Sequence, residues 1–376
     1  MKNEYIADNR IKNKLNRKNI LTNKYETVIV LIAFLVLLII GNYNLSSAVE
    51  NSRFIRLSQN QPFWTVMGIT VSVLVPLFVN KIGVKISTIM GVLFSFITLL
   101  AVLRFGENIN GSVRWFETPL GSVQPSEISK PVMILALAYI FSEIQDYRKA
   151  FTLGAVLTLI IAGLIGKEDL GTSIVFIFLF IVIYFITTRN IKKFVFFMVI
   201  LLLAALIFFA FCLDNYQANR IKAFFSPEDN PDTYYQTKQS IIMVGSGGVD
   251  GKGYKRGPGN LYGFIPADHT DFVLSVYAEE NGFKGMLIFL GLWTILLLSI
   301  LNSALKSSGM SRIISMGVFS VFFFQFSFNT AMVLGVVPVT GLPLPFFTYG
   351  GSSMLSNSIM IGLFIFSNVT KETNNI

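Results

Sequence analysis

Apolar runs of spanning length recur along the chain and are separated by mostly short polar stretches. A bilayer core about 30 Å thick needs roughly 20 apolar residues per helix. The pattern predicts ten such helices, at about 28–48, 62–80, 84–103, 128–143, 149–166, 169–188, 191–213, 271–302, 311–337 and 346–370. The fourth is short and the eighth long. One polar interval stands apart, a 57-residue segment at 214–270 with six Lys/Arg and six Asp/Glu. The fold class is therefore an all-α polytopic membrane protein. Residues 28–370 form a single transmembrane domain, with a large loop between helices 7 and 8 and tails at 1–27 and 371–376.

Composition agrees with this division. The 376 residues are 53% hydrophobic and 14% charged, with a mean hydropathy of +0.63. A typical soluble domain carries about 25% charge, so this chain lacks the polar surface to cover a globule in water. A disordered chain, a disulfide scaffold and an ordinary cytosolic enzyme are excluded. The single cysteine, Cys212, permits no internal disulfide, and the single histidine, His269, excludes multi-His zinc sites. Catalysis must rest on carboxylates, cations, amides and backbone.

Lys and Arg set the orientation. With the N-terminus inside, the inner segments hold 17 basic residues, and the short outer loops hold five (Arg53, Arg56, Arg104, Arg114 and Lys167). Both termini are then cytoplasmic and the 214–270 loop is extracytoplasmic. The basic tail, with seven Lys/Arg against three acids, reads as a topology signal that touches anionic lipid rather than as a nucleic-acid arm.

A long ordered loop is more often functional than idle, so the chemistry is expected on the outer face. Gly245–Gly253 is glycine-rich but departs from the P-loop pattern, which removes support for a nucleotide. Together with Lys252, Lys255 and Arg256 it reads either as a backbone nest for an anion or as a turn-rich loop. Thr270 is expected to cap helix 8, placing Asp271 in its first turn, where the helix dipole favours a carboxylate. Such an acid can hold a divalent cation (Mg or Mn) or take a proton from a sugar hydroxyl; otherwise it supports the helix start. Ser275 and Glu279 share its face, and Glu280 and Lys284 follow. Helix 4 opens with Gln124-Pro125-Ser126-Glu127 and carries Lys130. Helix 6 opens with Glu168-Asp169-Leu170-Gly171-Thr172. Ionisable groups at membrane depth are either functional or satisfied internal pairs, such as Glu127 with Lys130 or a Glu with Lys284. Arg114 beside Trp115 suits a lipid headgroup or an interfacial anchor. The uncharged, proline-broken run 337–353 is of the kind tolerated where backbone is buried or lines a cavity.

The order WF…QPSE…K, DLGTS, YQ…QS…GSGG…GKG, HTDF…EE and PVTGLPLPF.TYGGSS…N, from Trp115 to Asn357, resembles the SEDS family (shape, elongation, division and sporulation). Gly251–Gly253 and Leu261–Pro266 look more like its RodA (elongation) branch than its FtsW (division) branch. The resemblance implies a peptidoglycan glycosyltransferase of the bacterial cytoplasmic membrane. It would polymerise lipid II onto undecaprenyl-linked glycan on the outer face, beside a class B penicillin-binding protein. It places the family's essential acid on Asp271 and marks Trp115 as a second position. Arg114, Lys130, Lys252 and Arg256 are the cations available to a pyrophosphate leaving group, and Asp169, Glu279 and Glu280 the acids of the outward cavity. Departures are Glu168 for the usual Pro before DLGT, and Ala267-Asp268 before His269. The rival classes are a flippase for lipid-linked sugars, which would show paired broken helices in two halves, and a non-catalytic scaffold indifferent to Asp271.

Overall fold

In the computed structural model, residues 2–49, 55–109, 112–118, 121–166, 168–188, 190–211, 215–265 and 270–369 are described. The expected helices appear in order: α1 (Lys2–Ala48), α2 (Ile55–Ile82), α3 (Val84–Phe105), α4 (Pro125–Glu143), α5 (Tyr147–Gly166), α6 (Leu170–Thr187) and α7 (Ile191–Phe211). Three shorter helices, α8 (Asn215–Phe225), α9 (Pro231–Ser246) and α10 (Pro258–Leu261), lie in the long loop. They precede α11 (Val273–Leu305), α12 (Gly309–Val333) and α13 (Gly351–Val369). Eight helices among the described residues are long and apolar enough to cross a membrane. The fourth and seventh expected spans are α4, with Glu127 and Lys130 in its first turns, and α7. The polar tail expected at 1–27 continues as helix into α1, and residues 370–376 lie outside the described residues.

Between their polar ends, α2 and α3 leave large apolar side chains exposed, such as Leu74, Leu77, Phe94 and Ile97. On helices of spanning length, such a surface is the one lipid covers. Helix α4 is enclosed by α3, α5, α6, α12 and α13, and its residues 125–138 are almost all buried. The core centres on Trp293, which stacks on Phe326 at 4.7 Å and lies close to Phe346. Small hydroxyls join the inner helices, as where Ser315 and Ser367 meet at 2.9 Å.

Three features were not legible in the apolar pattern. A three-stranded antiparallel sheet, β1 (Glu107–Ile109), β2 (Ser112–Thr118) and β3 (Gly121–Val123), in the order β1-β2-β3, connects α3 to α4. The ninth span ends at Val333 and the tenth begins at Gly351, so 334–350 is non-helical. Pro338, Pro343 and Pro345 remove backbone donors there, and Gly335 and Gly341 adopt φ of 69° and 74°. Leu342, Leu344, Phe346 and Phe347 bury this crossing in the bundle.

The third feature is a break in α11 at Gly282 (φ 61°, ψ −163°). A continuous helix would join the amides of Phe283 and Lys284 to the carbonyls of Glu279 and Glu280. Instead those amides donate to Gly248 and Val249, and the freed carbonyls accept from Lys252 and Gly253. The glycine-rich loop is spliced into the helix by four reciprocal bonds. The Lys252 and Gly253 amides are therefore committed to protein, as are those of Gly248 and Gly251, which donate within the loop. The anion-nest reading is corrected accordingly. A methyl on Gly251 would lie 2.1 Å from the Glu280 carbonyl oxygen, at a φ of 79°. Gly251→Ala is expected to cost about 1–3 kcal/mol in backbone strain alone, read as a lowered melting temperature of the detergent-solubilised protein.

Candidate active site

Asp271 lies just before α11, not in its first turn. The helix starts at Val273 and its N-cap residue is Phe272, without a side-chain cap. This corrects the expected Thr270 cap, and tertiary bonds explain it. The Asn329 side-chain amide donates to the Asp271 carbonyl at 2.8 Å and to the Leu342 carbonyl at 2.9 Å. The Thr348 hydroxyl donates to the Thr270 carbonyl at 3.3 Å and accepts from the Leu344 amide at 2.8 Å. The turn at 270–272 is thus stapled to the proline-broken crossing, which fixes Asp271 over Gly341. A methyl on Gly341 would sit 3.5 Å from Asp271 Oδ2 and 3.7 Å from Arg114 Nη2. The missing side chain leaves an opening that a carboxylate and a guanidinium both face.

Asp169 holds Arg114 there. Asp169 is the N-cap of α6 and is buried. It accepts from the Thr172 amide at 3.0 Å, the Thr172 hydroxyl at 2.9 Å and Gln124 Nε2 at 2.9 Å, and pairs with Arg114 Nη1 at 3.1 Å. A carboxylate so fully engaged acts as a fixed counter-charge for Arg114, whose side chain is 26% exposed. Glu168 accepts from the Val113 amide at 2.7 Å and ties β2 to the same helix start. Arg114 also borders a narrow cleft lined by Leu99 and Val102 of α3, Pro125 of α4 and Leu164 and Ile165 of α5, together with Glu168 and Asp169.

The other expected site residues lie elsewhere. Trp115 follows Arg114 on β2 and pairs with Glu107 of β1, next to a shift in register that leaves Arg114 as the extra residue of the strand. Lys130 is completely buried and pairs with Glu127 at 2.7 Å. Glu279 accepts from the Ser246 hydroxyl and the Gly259 amide, both at 3.1 Å, and Glu280 from the Ser47 hydroxyl, so both fasten loop and α1 to α11. Lys284 pairs with exposed Asp250 rather than with a glutamate. Lys252 and Arg256 are exposed on the loop and make no ion pair among the described residues. His269 and its neighbours 266–268 lie outside the described residues.

Gly341, Asn329 and Thr348 were not singled out in the sequence as site residues. Gly341 and Thr348 belong to the uncharged run, where only the glycine between prolines hints at a close approach. Asn329 is a lone amide in an apolar helix, and its partners are distant in sequence.

The family described as Cell cycle protein (FtsW/RodA/SpoVE) matches residues 22–375. The peptidoglycan glycosyltransferase MrdB of Escherichia coli K12 is 32% identical over 267 residues, covering 69% of this chain and 71% of the relative. An FtsW of Mesostigma viride is 32% identical over 322 residues, covering 84% and 76%. Among solved structures, a chain of a peptidoglycan synthase complex that coordinates polymerization and crosslinking superposes with a TM-score of 0.72 at 28% identity, covering 90% of this chain and 96% of that one. RodA of Thermus thermophilus superposes at 0.66 with 26% identity, covering 90% and 95%. The chain thus belongs to the FtsW/RodA/SpoVE family, the SEDS peptidoglycan glycosyltransferases.

Proposed function

We propose that this chain polymerises lipid II into glycan strands on the outer face of the bacterial cytoplasmic membrane during elongation, with both termini cytoplasmic and a class B penicillin-binding protein as partner. The observation that carries the reading is the Asp271 carboxylate and the Arg114 guanidinium facing one opening over Gly341.

Asp271 takes the proton from the 4-hydroxyl of the acceptor N-acetylglucosamine. The oxygen attacks C1 of the donor N-acetylmuramic acid from the opposite side, inverting it. The bonding electrons leave with the undecaprenyl pyrophosphate, so this group needs a cation rather than an acid. Arg114, oriented by Asp169, meets that growing charge. Lys130 is not assigned this task, because its ammonium is enclosed with Glu127. Among the described residues no three His, Cys, Asp or Glu converge. Asp271 has the Arg114 cation as its neighbour across the opening, and Asp169 is already engaged. That donor set does not fit a resident divalent cation, and no step is routed through one.

Arg114→Gln keeps a hydrogen-bonding side chain but removes the charge. The initial rate of lipid II polymerisation is expected to fall by about 10²–10³, the usual cost of losing one preorganised electrostatic partner. A rate within a few-fold of wild type would remove Arg114 from the mechanism. Lipid II translocation in proteoliposomes, with no polymer from either protein, would favour the flippase instead.

A further inference from the structure

Helix α6 starts at the Asp169 cap beside the reacting pair and ends at Thr187, so α5 and α7 begin at the opposite end of the bundle. Their starts repeat one arrangement. Arg148 and Lys149 are the second and third residues of α5, and Lys192 and Lys193 are those of α7. All four are exposed and make no ion pair among the described residues. The caps also match. Asp146 Oδ1 accepts from the Arg148 and Lys149 amides at 2.9 and 3.4 Å, and Asn190 Oδ1 from the Lys192 and Lys193 amides at 3.1 and 3.3 Å. These first-turn amides are therefore satisfied by protein, and the cationic side chains are what the two starts present.

Aromatic rings fix the two starts next to each other. Tyr184 of α6 stacks on Tyr147 with centroids 6.3 Å apart and meets Phe194 at 5.8 Å, and Phe151 meets Phe197 edge-on at 5.6 Å. Each cation pair adjoins a ring of this cluster, Arg148 and Lys149 after Tyr147, Lys192 and Lys193 before Phe194. The acids nearby in the chain are Asp146, used as a cap, and Glu143, exposed at the end of α4.

A cation in the first turn opposes the positive end of the helix dipole. Four of them on neighbouring helix starts also repel one another. Orientation in the membrane calls for Lys and Arg at this end, but cations anywhere in the connections meet that need, as exposed Lys81 and Lys85 do between α2 and α3. It does not call for two matched pairs on adjoining helices. A bound anion relieves both conflicts. Farther along the same helices, Leu153 and Val156 of α5 and Val195, Phe196 and Val199 of α7 are exposed and apolar. A soluble anion would meet only the cations, whereas an amphiphile meets both surfaces. We infer that the paired starts of α5 and α7 form a site for the phosphodiester headgroup of an anionic glycerophospholipid, with its acyl chains along the two helices.

The test uses the full chain in detergent micelles containing equal amounts of phosphatidylglycerol and phosphatidylcholine, with retained lipid read by native mass spectrometry. Wild type is expected to retain phosphatidylglycerol in preference. Lys192→Gln with Lys193→Gln is expected to cut that retention about tenfold, since each cation near a membrane surface attracts anionic lipid by roughly 1 kcal/mol. Lys81→Gln with Lys85→Gln removes the same charge elsewhere and is expected to change it by less than about twofold. Arg148→Gln with Arg or Lys149 likewise neutralised by Lys149→Gln repeats the measurement on α5, should the α7 variant fail to fold by its melting temperature. No preference for phosphatidylglycerol in wild type, or equal losses in the site and control variants, would overturn the site. Displacement of the retained lipid by millimolar glycerol phosphate would identify a soluble phosphate as the ligand and overturn the lipid assignment.

Discussion

Asp271→Asn is expected to reduce the initial rate of glycan synthesis by about 10²–10⁴, the range a positioned general base supplies, with the melting temperature close to that of wild type. The asparagine is nearly isosteric but cannot accept the proton. The backbone carbonyls of Thr270 and Asp271 accept bonds that hold the turn to α12 and to the crossing, and these bonds remain in Asp271→Asn. Initial rates on lipid II, with thermal unfolding followed in parallel, separate the two effects. A scaffold or a flippase that uses other groups would show no such loss.

Lys130→Met has the second largest expected effect, and it falls on stability. Lys130 and Glu127 are both completely or almost completely buried, one helical turn apart in a helix packed against five others. Removing the ammonium leaves Glu127 charged and uncompensated, or forces it to take up a proton. Breaking one side of a buried pair typically costs about 3–5 kcal/mol, whereas replacing both members by apolar or neutral residues is often close to neutral. Thermal unfolding of Lys130→Met should shift downward strongly, and Glu127→Gln combined with Lys130→Met should recover much of that shift. If Lys130→Met unfolds at the wild-type temperature yet loses activity, Lys130 reaches substrate after all and the structural role is wrong.

The helices were legible because lipid imposes one requirement on every span, a run of apolar residues of fixed length with its backbone satisfied internally. That requirement weakens at the helix ends, where the misreadings concentrate. Hydropathy carried the ninth span through to residue 337, yet Pro338 and the positive φ at Gly335 and Gly341 end it at Val333. Residues 107–123 lacked an apolar run, and their pairing into a sheet left no spanning signature. Asp271, Asp169 and Arg114 were marked as ionisable groups near the outer surface. Their conjunction comes from three separate segments, β2, the start of α6 and the turn before α11, and no spacing in the chain encodes it. Physical reasoning on spacing put Glu279 on the face of Asp271. The break at Gly282 and the inserted glycine loop instead give Glu279 loop partners, Ser246 and Gly259, and Glu280 an α1 partner, Ser47.

The most direct test is polymerisation of lipid II by the purified wild-type chain together with its cognate class B penicillin-binding protein, with the latter's transpeptidase acylated by a β-lactam so that only glycan synthesis is read. The account predicts uncrosslinked strands of many disaccharide units, resolved on a gel and digested by a muramidase. Undiminished lipid II and no strands, from a folded complex, would contradict it.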